Sequence, residues 1–255
     1  MTAEDQALKG AIRKKWDLSS STYDSDFGHG IKDGEERDAW KRYLGTALPT
    51  KGCRVLDVGC GTGEISLLLA EMGYGVKGVD LSEDMMNKAR TKASQRGLNA
   101  TFENGDAENL QFGAGSFDVV VNRHLLWTLP HPERALQEWM RVVTVGGSVI
   151  VIDGVWNDGT IGTKFRRAVR NIAIAVVDRK NPWGGYYGRD VNSRLPHPGG
   201  VPPEKTREYM EKAGLVNVTA VDLTEIRRIQ SASMPRRYRV ANKWNYFLVK
   251  GIKKV

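Results

Sequence analysis

Three acidic residues close three short apolar runs: Asp57 in RVLDVG, Asp80 in GVKGVD and Asp106 in ATFENGDA. After the first comes GCGTG, with Gly59, Gly61 and Gly63 on alternate positions around Cys60. A turn of such glycines adopts dihedrals other residues resist and lets a ligand approach the backbone. The helix that follows offers unpaired N–H groups. The spacing is G-x-G-x-G rather than the G-x-G-x-x-G of dinucleotide sites, and no G-K-[ST] follows, which excludes a phosphate-cradling P-loop. Asp80, 17 residues after Gly63, can accept from a ribose diol, with Leu81 and Met85 placed to flank an adenine. Asp106 can accept from an adenine amino group, while Gly105 and Ala107 let the ring approach. Acidic groups without a basic phosphate site suit a ligand with a ribose, an adenine and a positive centre. They suit a pyrophosphate poorly.

A fourth apolar run, SFDVVVNRH, ends in Asn122, Arg123 and His124. His124 is the first candidate for a general base, with packing beside the adenine or turn capping as the alternative. His29 and Tyr23 lie in the polar stretch SSSTYDSDFGHG, which can fold over the site. His131, before Pro132, reads as structural, and His197 as a candidate acceptor contact. Cys53 and Cys60 have no metal-motif partner, so no metal site is expected. No [DN]-P-P-[YF] motif and no Pro-Cys nucleophile follow the fourth run, which lowers nucleobase chemistry.

These residues need a scaffold that brings strand ends together. Helices are expected at 3–16, 34–48, 64–73, 82–97, 132–143, 162–179 and 203–214. Strands are expected at 54–59, 75–80, 100–107, 116–124, 146–156, 216–223 and 245–253. Alternation at this spacing predicts an α/β, doubly wound, mostly parallel sheet with helices on both faces. In such a sheet ligands bind beyond the carboxyl ends of the strands. Residues 181–200, rich in Gly, Pro and aromatics, read as a long loop.

VLDVGCGTG (55–63), VDLSEDMM (79–86), NGDAENLQFGAGSFDVVV (104–121) and RVVTVGGSVIVID (141–153) together resemble the class I S-adenosylmethionine-dependent methyltransferases. Within the class the chain looks like the branch containing quinone C-methyltransferases and many small-molecule N-, O- and S-methyltransferases. The resemblance covers roughly residues 50–155 and implies a seven-stranded Rossmann-like core. It implies S-adenosyl-L-methionine as donor and S-adenosyl-L-homocysteine as product. It implies that Asp57 and the loop of Gly59, Cys60, Gly61 and Gly63 hold the methionine moiety. Asp80 would hold the ribose and Asp106 the adenine. Asn122 or its neighbours would face the sulfonium and the acceptor. WDLSSSTYD (16–24) resembles the N-terminal segment that closes over the donor in related enzymes, which gives Tyr23 a place in both cofactor binding and catalysis.

The expected organisation is an N-terminal helical lid (1–48), a donor-binding core (49–155), an inserted acceptor segment (156–202) and the remainder of the core sheet (203–255). Trp156, Phe165, Trp183, Tyr186, Tyr187 and Arg189 are candidates for an aromatic and cationic acceptor wall, the alternative being a lid with its own core. An aromatic or anionic small molecule suits that wall. The net charge of +8, concentrated in RRAVR (166–170) and RRIQSASMPRRYR (227–239), leaves RNA as a second class of acceptor, without an appended RNA-binding motif. A third reading is a donor-binding module without catalysis. No signal-peptide-like start and no apolar run long enough to span a membrane are present, and a cytoplasmic protein is expected. The oligomeric state is left open.

Overall fold

Continuous runs of Val, Ile and Leu make strands that must be covered on both sides. The computed structural model describes residues 2–26, 28–49, 52–179, 186–239 and 245–254. Its strands β1 (Arg54–Val58), β2 (Gly75–Asp80), β3 (Ala100–Asn104), β4 (Phe117–Arg123) and β5 (Val143–Val155) are mutually parallel where they pair. β7 (Asn245–Lys253) runs antiparallel between β5 and β6 (Leu215–Asp222). The sheet order is β3-β2-β1-β4-β5-β7-β6. It is the expected doubly wound, mostly parallel seven-stranded sheet.

Alternation within each strand decides which helix it supports. Val119 and Val121 of β4, Ile150 and Ile152 of β5, and Tyr246 and Leu248 of β7 share one core. That core is closed by Trp40 and Leu44 of α2 (Glu35–Ala47), Leu68 and Leu69 of α3 (Glu64–Glu71) and Ile226 of α9 (Thr224–Ala232). The intervening Val120, Val149, Val151, Phe247 and Val249 face the other core. There Leu136 and Trp139 of α5 (Pro132–Val142) and Tyr209 and Met210 of α8 (Pro203–Lys212) complete the layer. α4 (Glu83–Gln95) packs Met86 and Ala89 against Leu67 and Phe102. α2 is thus a layer helix, with Trp40 fully buried.

The remaining N-terminal helix, α1 (Ala3–Ser19), lies across the carboxyl ends of the strands. Leu8 and Ile12 pack against Val191 and Leu195 at α7 (Arg189–Arg194). Asp17 accepts from Ser82 Oγ at 2.6 Å, tying α1 to the start of α4. The expected long loop therefore contains α7, while residues 181–185, including Trp183, lie outside the described residues. α6 (Ile161–Ala173) is capped by Thr160 and widens into a π-helical turn at Ile174–Asp178.

α9 and α10 (Arg236–Arg239) were not expected from the sequence. Their segment reads as a run of arginines with few apolar residues. Arg227 is nevertheless buried and donates to Gln230 Oε1 at 2.6 Å, and Gln230 donates to Glu36 Oε1 at 2.8 Å. Arg239 donates to the carbonyls of Ala232 and Met234. Arg227 of the late basic cluster is thus internal, while Arg228, Arg236 and Arg239 stay at the surface.

Candidate active site

The parallel strands deliver the ends of β1 through β4 to one edge, where α1 covers them. The glycine turn after β1 is pinned to β2, because the N–H groups of Gly59 and Cys60 both donate to the Val79 carbonyl. Gly59 has φ +67°, and a Cβ there would stand 2.6 Å from Leu125 Cδ1, so the turn admits no side chain against β4's continuation. Gly61, at φ +53°, has open space where its Cβ would point. Gly63 leads directly into α3.

Asp80 holds this turn by its other end. Its Oδ2 accepts from Gly61 N and its Oδ1 from Ser82 N, both at 2.8 Å. Burial pushes its carboxyl up from the usual range. Asp106 follows β3, where Oδ1 accepts from Glu108 N at 2.9 Å and Oδ2 pairs with Lys9 Nζ at 2.7 Å. Lys9 also reaches Glu108 Oε2 at 2.5 Å. A cation from α1 therefore sits on the acidic group assigned to adenine.

A slot runs between these residues. Its base is made by Gly59, Gly61, Asp80, Gly105 and Asp106, its sides by Leu81, Met85, Ala107 and Leu129, and its cover by Lys9, Ile12, Trp16 and Tyr23. A smaller pocket continues from it under the glycine turn, lined by Asp57, Cys60, Thr62, Glu64, Arg123 and Tyr23. Asp57 is buried there and accepts from Ser66 Oγ at 2.6 Å, and burial raises its pKa to about 7. The Cys60 thiol is also buried and held well above its ordinary range, which disfavours a thiolate.

On the far side lies a second cavity of about 600 Å³. Trp127, Trp156 and Tyr186 form aromatic walls, and Arg167, Arg170, Asn157 and Asn192 supply polar groups. Trp16, Tyr23 and His124 line both this cavity and the slot, so they stand between the two. The aromatic groups brace one another: the Trp16 ring lies 4.7 Å from Tyr186 and 5.8 Å from Tyr23, and Trp127 lies 5.1 Å from Trp156. Tyr23 stacks on His29 at 4.3 Å, and burial lifts its hydroxyl to about 12.

His124 has φ +59°, in the left-handed region where a non-glycine residue is uncommon. Its N–H donates to the Ile152 carbonyl at 2.9 Å, which ties the turn to β5. Its ring stacks on Tyr246, with Nε2 3.2 Å from Tyr246 Oη. Nδ1 lies 3.7 Å from Asp153 Oδ1. Burial holds the imidazole well below its ordinary pKa, and burial raises Asp153 to about 8.

Several expected residues fall elsewhere. Asn122 points into the sheet, where Nδ2 donates to the Ile150 carbonyl at 3.4 Å, and the structure brings it to neither cavity. Its neighbour Arg123 takes the place at the slot. His197 pairs with Tyr209 Oη at 2.6 Å, away from the aromatic cavity, and His131 pairs with Asp5 at 3.0 Å. Phe165 is exposed on the outside of α6, and Tyr187 backs the wall through a hydrogen bond with Thr128.

Arg123 was missed as a functional residue. Its guanidinium lies over Trp40 at 5.7 Å, and Nη2 donates to the His29 carbonyl. Nη1 is buried without a hydrogen-bond partner. The sequence shows an arginine at the end of a strand but not that burial leaves one donor open beside the glycine turn.

Residues 56–151 match the model of a methyltransferase domain. The chain is 33% identical over 163 residues to the aklanonic acid methyltransferase DauC of Streptomyces sp. strain C5, covering 62% of this chain and 71% of that protein. It is 35% identical over 142 residues to a phosphatidylethanolamine N-methyltransferase of Cereibacter sphaeroides, covering 55% of this chain and 64% of the relative. With a ubiquinone biosynthesis O-methyltransferase of Coxiella burnetii it shares 36% identity over 108 residues, 42% of this chain and 46% of the relative. The match thus spans less than two thirds of the length of these last two relatives. In fold it resembles the [4+2]-cyclase SpnF, with a TM-score of 0.66 and 20% identity over 96% of each chain. A phosphoethanolamine N-methyltransferase of Haemonchus contortus, solved with S-adenosylhomocysteine, also aligns with a TM-score of 0.66, at 19% identity over 96% of this chain and 61% of that one. The ordered strand-end carboxylates, the glycine turn and these relatives agree: the chain belongs to the class I S-adenosylmethionine-dependent methyltransferases.

Proposed function

We propose that this protein transfers a methyl group from S-adenosyl-L-methionine to a small acceptor that is aromatic or anionic. The observation that carries the reading is the meeting of two unlike cavities at Trp16, Tyr23 and His124. One is acidic at its strand ends, and the other is aromatic with two arginines.

The chemistry of the slot's lining suits the donor. Asp80 and Asp106 offer acceptors for the ribose and the adenine amino group, and Leu81, Met85 and Ala107 offer apolar faces for the ring. The open side of Gly61 leaves the backbone bare where the methionine part would lie. The partnerless Nη1 of Arg123 is assigned to the donor's carboxylate, since a buried guanidinium donor calls for an anion. Bound there, the donor supplies an electrophilic methyl on a sulfonium. The chain's part is to align the acceptor and keep out water, which proximity makes worth several kcal/mol. Trp16 and Tyr23 close the junction from above. His124 stands at the junction as a neutral imidazole that burial makes a weaker base than a free histidine, with Tyr246 Oη beside Nε2 and Asp153 behind Nδ1. Its part is to position the acceptor and to take a proton only from an acidic one. Arg167 and Arg170 would hold an acidic group of the acceptor. A 600 Å³ cavity is of the size that takes a drug-sized molecule.

Residues 1–34 and 156–202 act in this reading as the cover and the acceptor wall. Against RNA as acceptor stand Arg227, which is buried, and Arg167 and Arg170, which face the aromatic cavity, although Arg228, Arg236 and Arg239 stay exposed. The test is transfer of labelled methyl from S-adenosylmethionine to a panel of phenols, hydroquinones, aromatic acids and tRNA. Labelling of a small aromatic acceptor is expected. Binding of S-adenosylhomocysteine without transfer to any of them, or transfer to tRNA alone, would overturn the reading.

A further inference from the structure

α6 is built with its faces reversed. An amphipathic helix on a folded protein normally turns its apolar stripe inward. Here Ile161, Phe165, Val169, Ile172 and Val176 fall on one stripe, and that stripe faces solvent. Ile161 is 85% exposed, Phe165 69%, Ile172 58% and Val176 71%. The inward side carries Thr163, Arg167 and Arg170, and the two arginines line the aromatic cavity. The helix thus makes a polar wall for the cavity and leaves an apolar outer face without a partner among the described residues. Scattered exposed apolar side chains are ordinary, but a contiguous stripe of five marks a docking surface.

The surroundings of the stripe are basic. Lys164 is exposed beside it, and Arg179 is exposed at the end of the π-helical turn. α10 packs against α6 and presents Arg236 and Arg239 at the surface. At the helix start, the Asp158 carboxylate is engaged by the Thr160 N–H and hydroxyl. No helix of the described residues is long and apolar enough to cross a membrane. An apolar stripe bordered by cations is the pattern that lies in the plane of a lipid interface, with side chains among the acyl chains and cations at the headgroups.

We propose that the outer face of α6 docks this protein on an anionic lipid surface, which sets the wall of the aromatic cavity against the membrane. The docking holds whatever group is transferred, so it stands or falls apart from the methyl-transfer reading.

The probe is flotation of the full chain with vesicles of phosphatidylcholine alone and of two parts phosphatidylcholine to one part phosphatidylglycerol. Binding is expected to the anionic vesicles and to weaken as salt rises from about 0.05 to about 0.5 M. The variants Phe165→Asp and Ile172→Asp should each lower the vesicle partition constant at least about tenfold. Their thermal midpoint and S-adenosylhomocysteine affinity should stay at the parent values, since neither side chain supports the core. The paired change Arg236→Gln with Lys164→Gln should reduce binding to anionic vesicles and flatten the salt dependence. Lack of binding to anionic vesicles overturns the proposal, as does binding that the two aspartates leave unchanged. Sedimentation showing a dimer that either aspartate splits would assign the stripe to a second copy of the chain instead.

Discussion

Replacing Arg123 by Met removes a buried cation while keeping much of its length. In the structure Nη2 is spent on the His29 carbonyl and the guanidinium covers Trp40, so both losses fall on the protein alone. Nη1 has no partner within the protein and lies where the slot and the pocket under the glycine turn meet. A hydrogen bond from it to a carboxylate is charge-assisted and worth about 1.5–3 kcal/mol. At about 1.4 kcal/mol per factor of ten, Arg123→Met should weaken S-adenosylhomocysteine by roughly 10- to 150-fold. Calorimetry measures this directly, but the loss alone would not distinguish a lost carboxylate contact from a distorted pocket. Decarboxylated S-adenosylmethionine supplies the other half of a cycle. The parent protein should bind it weakly relative to S-adenosylmethionine, and the variant should bind the two about equally. If the variant loses the same factor for both ligands, leaving a coupling below about 0.5 kcal/mol, Arg123 does not hold the carboxylate. Arg123→Lys keeps the charge without the planar fork and should fall between the two.

Gly61→Val should abolish S-adenosylhomocysteine binding with the fold retained, because its side chain would project into the open side of the turn from a φ of +53°; normal affinity by calorimetry would remove the turn from the donor site. Lys9→Met leaves the buried Glu108 carboxylate without its cation and should lower the unfolding free energy in urea by about 3–5 kcal/mol; a change under about 1 kcal/mol would mean that α1 lifts away and lets water reach Glu108. His29 is held down to about 4 by burial and by Arg123, against 6.5 when free, so the unfolded chain takes up a proton that the folded one refuses. Stability should therefore fall as pH drops from about 6.5 toward about 4, and His29→Phe should reduce that slope in pH-dependent melts; an unchanged slope would place the histidine in water.

Most of the sheet can be read in the chain because its signals are local. The apolar runs of β1, β4 and β5 are continuous, the turn glycines are fixed in number and spacing, and Ser82 precedes α4 as a cap that accepts from Met85 N. Asp80, Leu81, Met85, Gly105, Asp106 and Ala107 follow strand ends, so parallel order alone brings them to one slot. α9 was illegible because, besides Ile226, its buried face is made by Arg227 and Gln230, residue types whose burial depends on Glu36, far away in the chain. The same long-range logic decided the fourth strand's end. Sequence placed Asn122, Arg123 and His124 together there, but the strand's alternation turned Asn122 into the sheet. Neighbours from α2, β5 and β7 then fixed the other two: Trp40 under Arg123, Asp153 and Tyr246 around His124. Residue types and spacing therefore determined the fold and the kind of donor. Tertiary packing decided which side chains lost water, which kept an open hydrogen bond, and where the two cavities meet, since desolvation depends on neighbours that chain order does not contain.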